Sequence, residues 1–305
     1  LKNSPDCLVT TPESLQIMLA RKGYAKFLKH LDAVIVDEWH ELLSSKRGVL
    51  VELALSRLKT IVPGLKIWGI SATIGNMEDA VNVLMGDEST LQNTAIIKAN
   101  IKKKLKIQTL LPNKIEEMPW SGHIGVRLLS KVLPIIEKNT STLIFCNTRS
   151  QAEIWYQKLI EKFPDLAGLI ALHHGSLGKE VREWVETALH KGSLKAVVST
   201  SSLDLGVDFR PVSAVIQIGS PKGIARFLQR AGRSGHSPYE TSKIYFLPTN
   251  SLEIIESSAL QRAIKEGHIE SRITVARAFD VLVQYLVTLA VSDGFNADTL
   301  YAEIK

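Results

Sequence analysis

Short apolar runs recur along the chain, separated by stretches that mix apolar and polar residues. Within each run the apolar residues occupy successive positions, which is typical of strands covered on both faces, as in a parallel sheet flanked by helices. The runs are AVIVD at 33–37, KIWGISAT at 66–73, STLIFCN at 141–147, LIALHH at 169–174, KAVVST at 195–200 and AVIQIGS at 214–220. The pattern predicts an α/β fold with parallel sheets.

The segments between the runs predict how the chain is divided. Val49–Lys59 and Gln151–Lys162 place apolar residues at helical spacing and predict crossover helices. The alternation is interrupted around residues 100–125 and stops after Pro248, beyond which mostly helical structure is expected, with a strongly amphipathic stretch at 273–291. We predict a first α/β domain at 1–100, a linker at 101–124, a second α/β domain at 125–249 and a helical piece at 250–305.

Composition limits the classes of protein to consider. The chain has 305 residues, of which 45% are hydrophobic and 22% charged, as in an ordinary globular protein. Its longest apolar run, near Val281–Val291, is far shorter than the roughly 18 residues of a membrane span. Cys7 and Cys146 are too few for a disulfide framework or a zinc site. We expect a soluble cytoplasmic protein, and its net charge of +6 permits binding to nucleic acid.

Two carboxylates, Asp37 and Glu38, directly follow the first apolar run. Ligands of open parallel sheets gather at the carboxyl ends of the strands, where these side chains are expected. One carboxylate could hold Mg²⁺ while its neighbour aligns and deprotonates a water, a division of roles that suits phosphoryl transfer. A solvated strand end is the alternative. Similarly, Trp39 could stack on a base or pack locally.

Three later segments carry polar groups that could serve the same chemistry. Ser71–Thr73 ends an apolar run, and Ser199–Asp208 supplies hydroxyls, a glycine and two carboxylates after another. In Gln229–His236, Arg230 and Arg233 are three residues apart, so on a helix or helical turn their guanidinium groups would share a face and could meet a γ-phosphate. A basic surface turn would account for the two arginines equally well.

In this order, the segments resemble the motifs of superfamily 2 helicases of the DEXH-box type, whose ATPase core has two RecA-like domains. The matching segments are Thr11–Leu15 (motif Ib), Asp37–His40 (motif II), Ser71–Thr73 (motif III), Phe145–Arg149 (motif IV), Ser199–Asp208 (motif V) and Gln229–His236 (motif VI). The longer words SATIGN, IFCNTRSQAE, HHGSL, STSSLDLGVDF and QRAGRSGH are similar to the Lhr, or large helicase-related, group. DEWHELL followed by KRGV resembles its bacterial ligase-associated branch, and RITVARAFDVLVQYLVTLAVSDGF resembles the opening helices of its winged-helix domain.

The resemblance implies roles for individual residues in catalysis. Asp37 would bind Mg²⁺, Glu38 would be the base for the attacking water, and His40 would couple the site to the second domain. Arg233 would be the leading arginine finger, with Arg230 beside it.

Two further sets of residues follow from the same resemblance. The residues implied near the nucleotide are Gly206, Asp208, Ser71, Thr73 and Gln229. The residues implied along the nucleic-acid track are Thr11, Pro12, Glu13, Thr148, Arg149, His174, Gly175, Thr200 and Ser201. Many relatives end motif VI in arginine where this chain has His236, which leaves open which two side chains meet the γ-phosphate.

One motif that such an ATPase needs, the phosphate-binding loop G-x-x-x-x-G-K-[ST], does not occur in the chain. The one Gly-Lys pair, Gly178-Lys179, is followed by Glu180, and His173 stands where the first glycine should be. Only ten residues precede Thr11, too few for the strand, loop and helix required. We therefore expect a fragment that begins inside the first RecA-like domain, ends inside the winged-helix domain, and is inactive alone.

The intact protein is then expected to be an ATP-dependent DNA helicase or translocase that uses ATP and Mg²⁺ to move along single-stranded DNA. The resemblance implies 3′-to-5′ movement and a role in DNA repair beside a DNA ligase and a nuclease. An RNA helicase of the same superfamily is one alternative. The other is a non-hydrolysing nucleic-acid-binding module, if the chain is complete.

Overall fold

The computed structural model describes residues 5–72, 74–86, 93–98, 104–114, 119–120, 125–204, 212–235 and 240–305. It divides into two units, one formed by Leu1–Ile97 together with Glu270–Lys305, and the other by Lys98–Ile269. In the described ranges, every helix is too short or too polar to cross a lipid bilayer.

Strands and helices alternate along most of the chain. The strands are β1 (Ala33–Val36), β2 (Lys66–Gly69), β3 (Leu105–Thr109), β4 (Thr142–Phe145), β5 (Ile170–His173), β6 (Ala196–Ser199), β7 (Ala214–Ile218) and β8 (Ser242–Leu247). The α-helices are α1 (Pro12–Leu19), α2 (Tyr24–Leu28), α3 (Trp39–Leu42), α4 (Lys46–Ile61), α5 (Met77–Met85), α6 (Leu129–Lys138), α7 (Arg149–Lys162), α8 (Lys179–Lys191), α9 (Ile224–Gly232), α10 (Ser251–Glu266), α11 (Phe279–Val291) and α12 (Ala297–Ile304).

In the first unit, β1 and β2 pair in parallel, with Val34 opposite Ile67. Residues of α3, α4 and α5 join the core that covers these strands, which includes Val36. A Cβ atom at Gly48 would lie 2.3 Å from the carbonyl oxygen of Leu42. Because any side chain would clash there, glycine allows α4 to begin immediately beside the end of α3. This tight junction fixes α3 next to the end of β1.

The C-terminal segment of the first unit shares a second core with α1, α2 and α4. The buried residues of this core are Leu19, Tyr24, Leu28, Ala54, Leu58, Tyr285, Leu289 and Leu300. Within it, Arg57 donates to Glu303 at 2.8 Å and to the Tyr24 hydroxyl at 2.6 Å. Because the Glu303 side chain is only 2% exposed, this ion pair is part of the packing. Helices α11 and α12 are therefore joined firmly to α4.

The described strands of the second unit form one parallel sheet in the order β3-β8-β7-β4-β6-β5. The central strands β4, β6 and β7 are buried along their whole length, as their continuous apolar runs predict. Separate apolar cores cover the two faces, one containing Trp155 of α7 and the other Phe227 of α9. The prediction of an α/β fold with parallel sheets is confirmed.

Two strands of this sheet did not follow from the search for apolar runs. In β3, exposed Lys106 and Gln108 alternate with partly buried residues, as is typical of an edge strand, and exposed Lys243 interrupts β8. Neither stretch is a continuous apolar run. The prediction of a linker at 101–124 is therefore corrected. This stretch contributes β3, which pairs with β8 in the sheet of the second unit.

The stretch 250–305, predicted as one helical piece, divides between the two units. Helix α10 buries Leu260 in the core of the second unit, and its Ser257 hydroxyl lies 2.6 Å from that of Thr109. Residues from Glu270 onward pack in the first unit. The amphipathic stretch predicted from residue 273 becomes helical only at Phe279, since Arg277 has a left-handed backbone with φ of 55°.

Candidate functional site

Asp37 and Glu38 lie directly after the end of β1. The Asp37 carboxylate is exposed, and its Oδ1 accepts a hydrogen bond from the Glu38 backbone N–H at 2.9 Å. Glu38 has a left-handed backbone with φ of 51°, a conformation that costs a non-glycine residue on the order of 1–2 kcal/mol. This sharp turn joins β1 to α3 and brings both carboxylates to the end of the strand.

Trp39, the first residue of α3, holds the turn in place through two hydrogen bonds. Its backbone N–H donates to the Ile70 carbonyl at 3.0 Å, and its indole Nε1–H donates to the Ala80 carbonyl at 2.8 Å. The side chain is only 2% exposed, so its ring is not available to stack on a base. Of the two interpretations of Trp39, local packing is the correct one. Its burial and two hydrogen bonds stabilise the turn and so help to offset the cost of the left-handed backbone at Glu38.

His40 connects the carboxylate turn to the segment 71–73. It is fully buried, and its Nδ1 accepts a hydrogen bond from the Ala72 backbone N–H at 3.1 Å. Because Nδ1 is the acceptor, the neutral ring carries its proton on Nε2, which lies 3.8 Å from Glu41 Oε1. The same Nδ1 is 3.5 Å from Glu38 Oε2. The structure thus brings the predicted residues Glu38, His40 and Ser71 together, while Thr73 lies outside the described residues.

The environment of Asp37 fits a hard divalent cation. Its carboxylate is exposed at the strand end, and no lysine or arginine of the described residues forms an ion pair with it. Within the described parts of the chain, no cluster of three or more acidic, histidine or cysteine side chains could hold a metal by itself. Mg²⁺ commonly takes one or two protein carboxylates and completes its shell with phosphate oxygens and water, so Asp37 is suited to that ion when nucleotide is present.

In the second unit, Arg230 and Arg233 converge on Asp204. Arg230 donates from Nε and Nη2 to the two carboxylate oxygens of Asp204 at 2.8 and 3.0 Å. Arg233, directly after the end of α9, donates from Nη2 to the Asp204 backbone carbonyl at 2.6 Å. The two guanidinium groups therefore face the same residue, Asp204, as expected from their spacing. Arg230 lies on α9, and Arg233 follows the last residue of that helix, Gly232.

Burial separates the two arginines. Arg230 is 2% exposed, lies over the Phe145 ring with its Cζ 4.6 Å from the ring centroid, and donates to Gln217 Oε1 at 2.6 Å. Its hydrogen-bonding groups are occupied inside the unit, which gives it a structural role. Arg233 is only partly buried, so its guanidinium lies closer to solvent. Gln229 is partly buried on the same helix, α9.

The predicted track residues of the first unit lie at the start of α1. Thr11 caps this helix, its hydroxyl accepting from the Ser14 N–H at 3.2 Å, and Pro12 is the first helical residue. Glu13 forms a two-contact ion pair with Arg47 of α4, at 2.6 and 3.2 Å. Hydrogen bonding from Arg47 lowers the pKa of Glu13 to about 2. The start of α1 is thereby held against the start of α4.

The predicted track residues of the second unit form a similar arrangement. Thr148 caps α7, and Arg149 Nη1 donates to the Ser176 hydroxyl at 3.1 Å. His174 is only 4% exposed, and its Nε2 lies 3.3 Å from Glu153 Oε1. His174 therefore braces the loop after β5 from inside, whereas Gly175 is exposed.

The last two predicted track residues, Thr200 and Ser201, follow β6. The Thr200 N–H donates to the His173 carbonyl at 3.3 Å, and the neighbouring Ser202 hydroxyl lies 2.8 Å from His173 Nδ1. Burial lowers the pKa of His173, and its Nε2 lies 3.1 Å from Glu186. This network fixes the turn after β6 to the end of β5, so the two parts of the track in this unit are adjacent.

Some predicted residues cannot be compared with the structure, and some important ones were missed. Gly206, Asp208 and His236, like Thr73, lie outside the described residues. Asp204 was missed as a site residue although its position between Thr200 and Gly206 is a usable signal.

Models of three known families match parts of the chain. The model of the DEAD/DEAH box helicase family matches residues 1–80. The model of the helicase conserved C-terminal domain matches residues 125–237, and that of the large helicase-related protein, winged helix domain, matches residues 262–305. Their order is the order of the motifs along this sequence.

Several known proteins similar to the chain carry the name Lhr. The chain is 37% identical to the ATP-dependent helicase Lhr-Core of Methanocaldococcus jannaschii and 35% identical to Lhr-Core protein 2 of Thermococcus barophilus, covering all of this chain but 35% and 36% of those proteins. The structure of Mycobacterium smegmatis helicase Lhr bound to ssDNA and AMP-PNP superposes with a TM-score of 0.86 at 32% identity, covering 99% of this chain and 39% of that one. The chain thus spans about a third of the length of these curated relatives.

Proposed function

Because the chain belongs to the Lhr-type helicases of superfamily 2, we propose that the complete protein is an ATP-dependent DNA helicase or translocase. The observation that carries this proposal is the turn after β1. There Asp37 is exposed without a lysine or arginine partner among the described residues, and Glu38 lies beside His40, whose ring binds the backbone of Ala72. This is the arrangement expected of a magnesium-nucleotide site that communicates with a neighbouring segment.

The residues of the turn would divide the work of hydrolysis. Asp37 would hold Mg²⁺, which when bound with ATP supplies positive charge to the phosphate oxygens. Glu38 would orient the attacking water and accept its proton, and His40 would hold the backbone of Ala72 beside it. Arg233 is the better candidate for the arginine finger, because Arg230 is committed to Asp204. Gly206, Asp208, Ser71, Thr73 and Gln229 would line the nucleotide site.

Single-stranded DNA is the polymer we favour. The relative from Mycobacterium smegmatis was solved with ssDNA, and this supports the same class of ligand here. Thr11 and Thr148 cap the exposed starts of α1 and α7, and at α7 the backbone N–H groups of Arg149 and Ser150 are suited to bind phosphate. The Arg149 side chain would add a charge there. Movement in the 3′-to-5′ direction, and repair of DNA beside a ligase and a nuclease, are further parts of the proposal that rest on family resemblance.

ATP hydrolysis by the complete protein encoded by the gene tests the proposal. We expect turnover that is stimulated by single-stranded DNA and requires Mg²⁺, and a loss of about 10²–10⁴-fold in kcat in Glu38→Gln, which keeps the size of the side chain but removes the base. The chain of 305 residues, which lacks the phosphate-binding loop motif, is expected to show no turnover. Turnover that survives in Glu38→Gln would contradict the assignment of the base.

Matched tailed duplexes of DNA and RNA test the choice of polymer and the direction. We expect unwinding of the DNA duplex with a 3′ tail and little with a 5′ tail. Binding should weaken steeply with salt if phosphates dominate the contacts. Unwinding of RNA alone would favour the RNA helicase, and nucleic-acid binding without any turnover would favour a non-hydrolysing module.

A further inference from the structure

Arg272 lies in the segment that leads into α11 and contacts the region of the proposed ATP site. Its Nη2 donates to Glu41 Oε1 at 3.1 Å, between residues 231 positions apart in the sequence. The side chains of Arg272 and Glu41 are 21% and 23% exposed, so the pair is largely shielded from solvent. Such a pair is held more firmly than an ion pair on the open surface.

The backbone of Arg272 is fixed independently of its side chain. Asn76 accepts a hydrogen bond from the Arg272 N–H at 2.8 Å and donates to the Arg272 carbonyl at 2.9 Å. The Gly75 N–H donates to the Glu270 carbonyl at 3.1 Å. Although Asn76 precedes α5 and asparagine often caps helices, its amide binds this distant segment and Asp79. Arg272 is therefore held to the loop that follows Ser71.

Glu41 lies between Arg272 and His40 and contacts both side chains. The Glu41 carboxylate lies 3.8 Å from His40 Nε2, and a carboxylate on that side favours the proton at Nε2. Nδ1 is then the acceptor that binds the Ala72 N–H and lies 3.5 Å from Glu38. The Arg272 side chain is thus connected through Glu41 and His40 to the Ala72 backbone. The Arg272 backbone is bound to Asn76, four residues further along the chain from Ala72.

We propose that Arg272 is a positioning residue for ATP hydrolysis. By holding Glu41 it holds the His40 ring, and through that ring it holds the backbone at residues 71–72, beside the Glu38 carboxylate. The inference rests on the proposed function, because it assigns Arg272 a role in the reaction that Glu38 is proposed to carry out. It also connects the C-terminal segment, which shares a core with α4, through Glu41 to His40 beside that carboxylate.

The variants separate a positioning role from general stabilisation. Arg272→Gln removes the charge, Glu41→Gln removes its partner, and Arg272→Lys keeps a cation at the position. Lys46→Gln is the matched control, because Lys46 forms an ion pair with Asp280 of α11 and thus also joins α4 to the C-terminal segment. That pair is exposed, with 67% and 61% of the two side chains accessible, and does not contact Glu41 or His40.

Steady-state ATP hydrolysis by the complete protein with single-stranded DNA is the first measurement. We expect Arg272→Gln to lower kcat on the order of tenfold with little change in the KM for ATP, because it loosens the His40 ring and the backbone at residues 71–72 beside the reacting Glu38 carboxylate. Arg272→Lys should recover most of the loss. The double variant of Arg272→Gln and Glu41→Gln should be no slower than Glu41→Gln alone, since the two residues act through one contact. Lys46→Gln should keep the wild-type kcat.

Amide hydrogen exchange of the peptide around residues 70–76 is the second measurement, and it does not depend on turnover. We expect faster exchange at Ala72 in Arg272→Gln than in wild type or Lys46→Gln. Wild-type kcat and exchange in Arg272→Gln, in a protein that hydrolyses ATP and unwinds DNA, would overturn the positioning role and leave the proposed function intact. A wild-type protein without any DNA-stimulated hydrolysis would overturn the proposed function itself.

Discussion

Asp37 in the first unit and Asp204 in the second both follow parallel strands, yet their surroundings differ. The Asp37 carboxylate is exposed, and no lysine or arginine of the described residues pairs with it. The Asp204 carboxylate is 4% exposed, accepts two hydrogen bonds from the Nε–Nη2 edge of the Arg230 guanidinium and lies 3.6 Å from Arg226 Nε. One carboxylate is available to a cation from outside the protein, and the other is neutralised within it.

The difference teaches how the same residue type serves chemistry in one place and structure in another. A buried charge must be paired, because its desolvation is costly, so Asp204 and Arg230 hold the turn after β6 against α9. An exposed carboxylate is solvated by water, so it needs no partner within the protein and remains available to bind a cation. Stability measurements should therefore respond strongly to changes in the second unit and weakly to changes at Asp37.

The largest effect is expected from Asp204→Ala in the chain of 305 residues. This change leaves Arg230 charged, buried and unpaired, which should lower the free energy of unfolding by about 3–5 kcal/mol. Urea denaturation followed by circular dichroism measures it. Glu266→Ala is the matched control, because it removes the partner of Arg262 in an exposed ion pair and should cost less than about 1 kcal/mol. Equal effects of the two changes would mean that Asp204 does not have the structural role assigned here.

An intermediate effect is expected at Glu52 of α4, a partly buried carboxyl group with which no lysine or arginine of the described residues forms an ion pair. Burial raises the pKa of Glu52 to about 7, from 4.5. Between these pH values the unfolded chain has released the proton while the folded chain retains it, so stability falls as pH rises from about 4.5 to 7 and is lowest above that window.

Glu52→Gln should remove this part of the pH dependence. At pH 8 we expect the variant to be more stable than wild type by on the order of 2 kcal/mol, because it no longer buries an ionised carboxylate. At pH 4.5 the two proteins should be nearly equal. Thermal unfolding at both pH values tests this, and a variant that is less stable at pH 8 would show that the Glu52 carboxylate has a favourable partner.

The smallest effect on stability is expected from Asp37→Asn. Because the carboxylate is exposed and no lysine or arginine of the described residues pairs with it, the free energy of unfolding should change by no more than about 0.5 kcal/mol. Added Mg²⁺ and ATP should raise the Tm of the complete wild-type protein and leave that of the variant unchanged. A large loss of stability without ligand would contradict the contrast with Asp204.

Several features of the protein followed from the sequence alone because they depend on local patterns. The apolar runs predicted β1, β2 and β4 to β7. The central strands β4, β6 and β7 are covered on both faces, which requires apolar residues at successive positions, whereas β1 and β2 are mostly exposed or partly buried. The order of the motifs indicated the family, and the rule for strand ends placed Asp37 and Glu38 at the end of β1. The edge strand β3 and its neighbour β8 were not predicted, because polar residues interrupt their apolar pattern.

The tertiary structure decided which of these side chains are buried and which partners they meet. The sequence could not show that Trp39 packs beneath its turn, that Arg230 is occupied by Asp204, or that Arg272 reaches Glu41 across 231 positions. Burial and pairing depend on contacts between residues that are distant in the chain, and no local pattern records such contacts. For this reason the strand-end carboxylates were found from the sequence, while the contacts that hold them were found only in the fold.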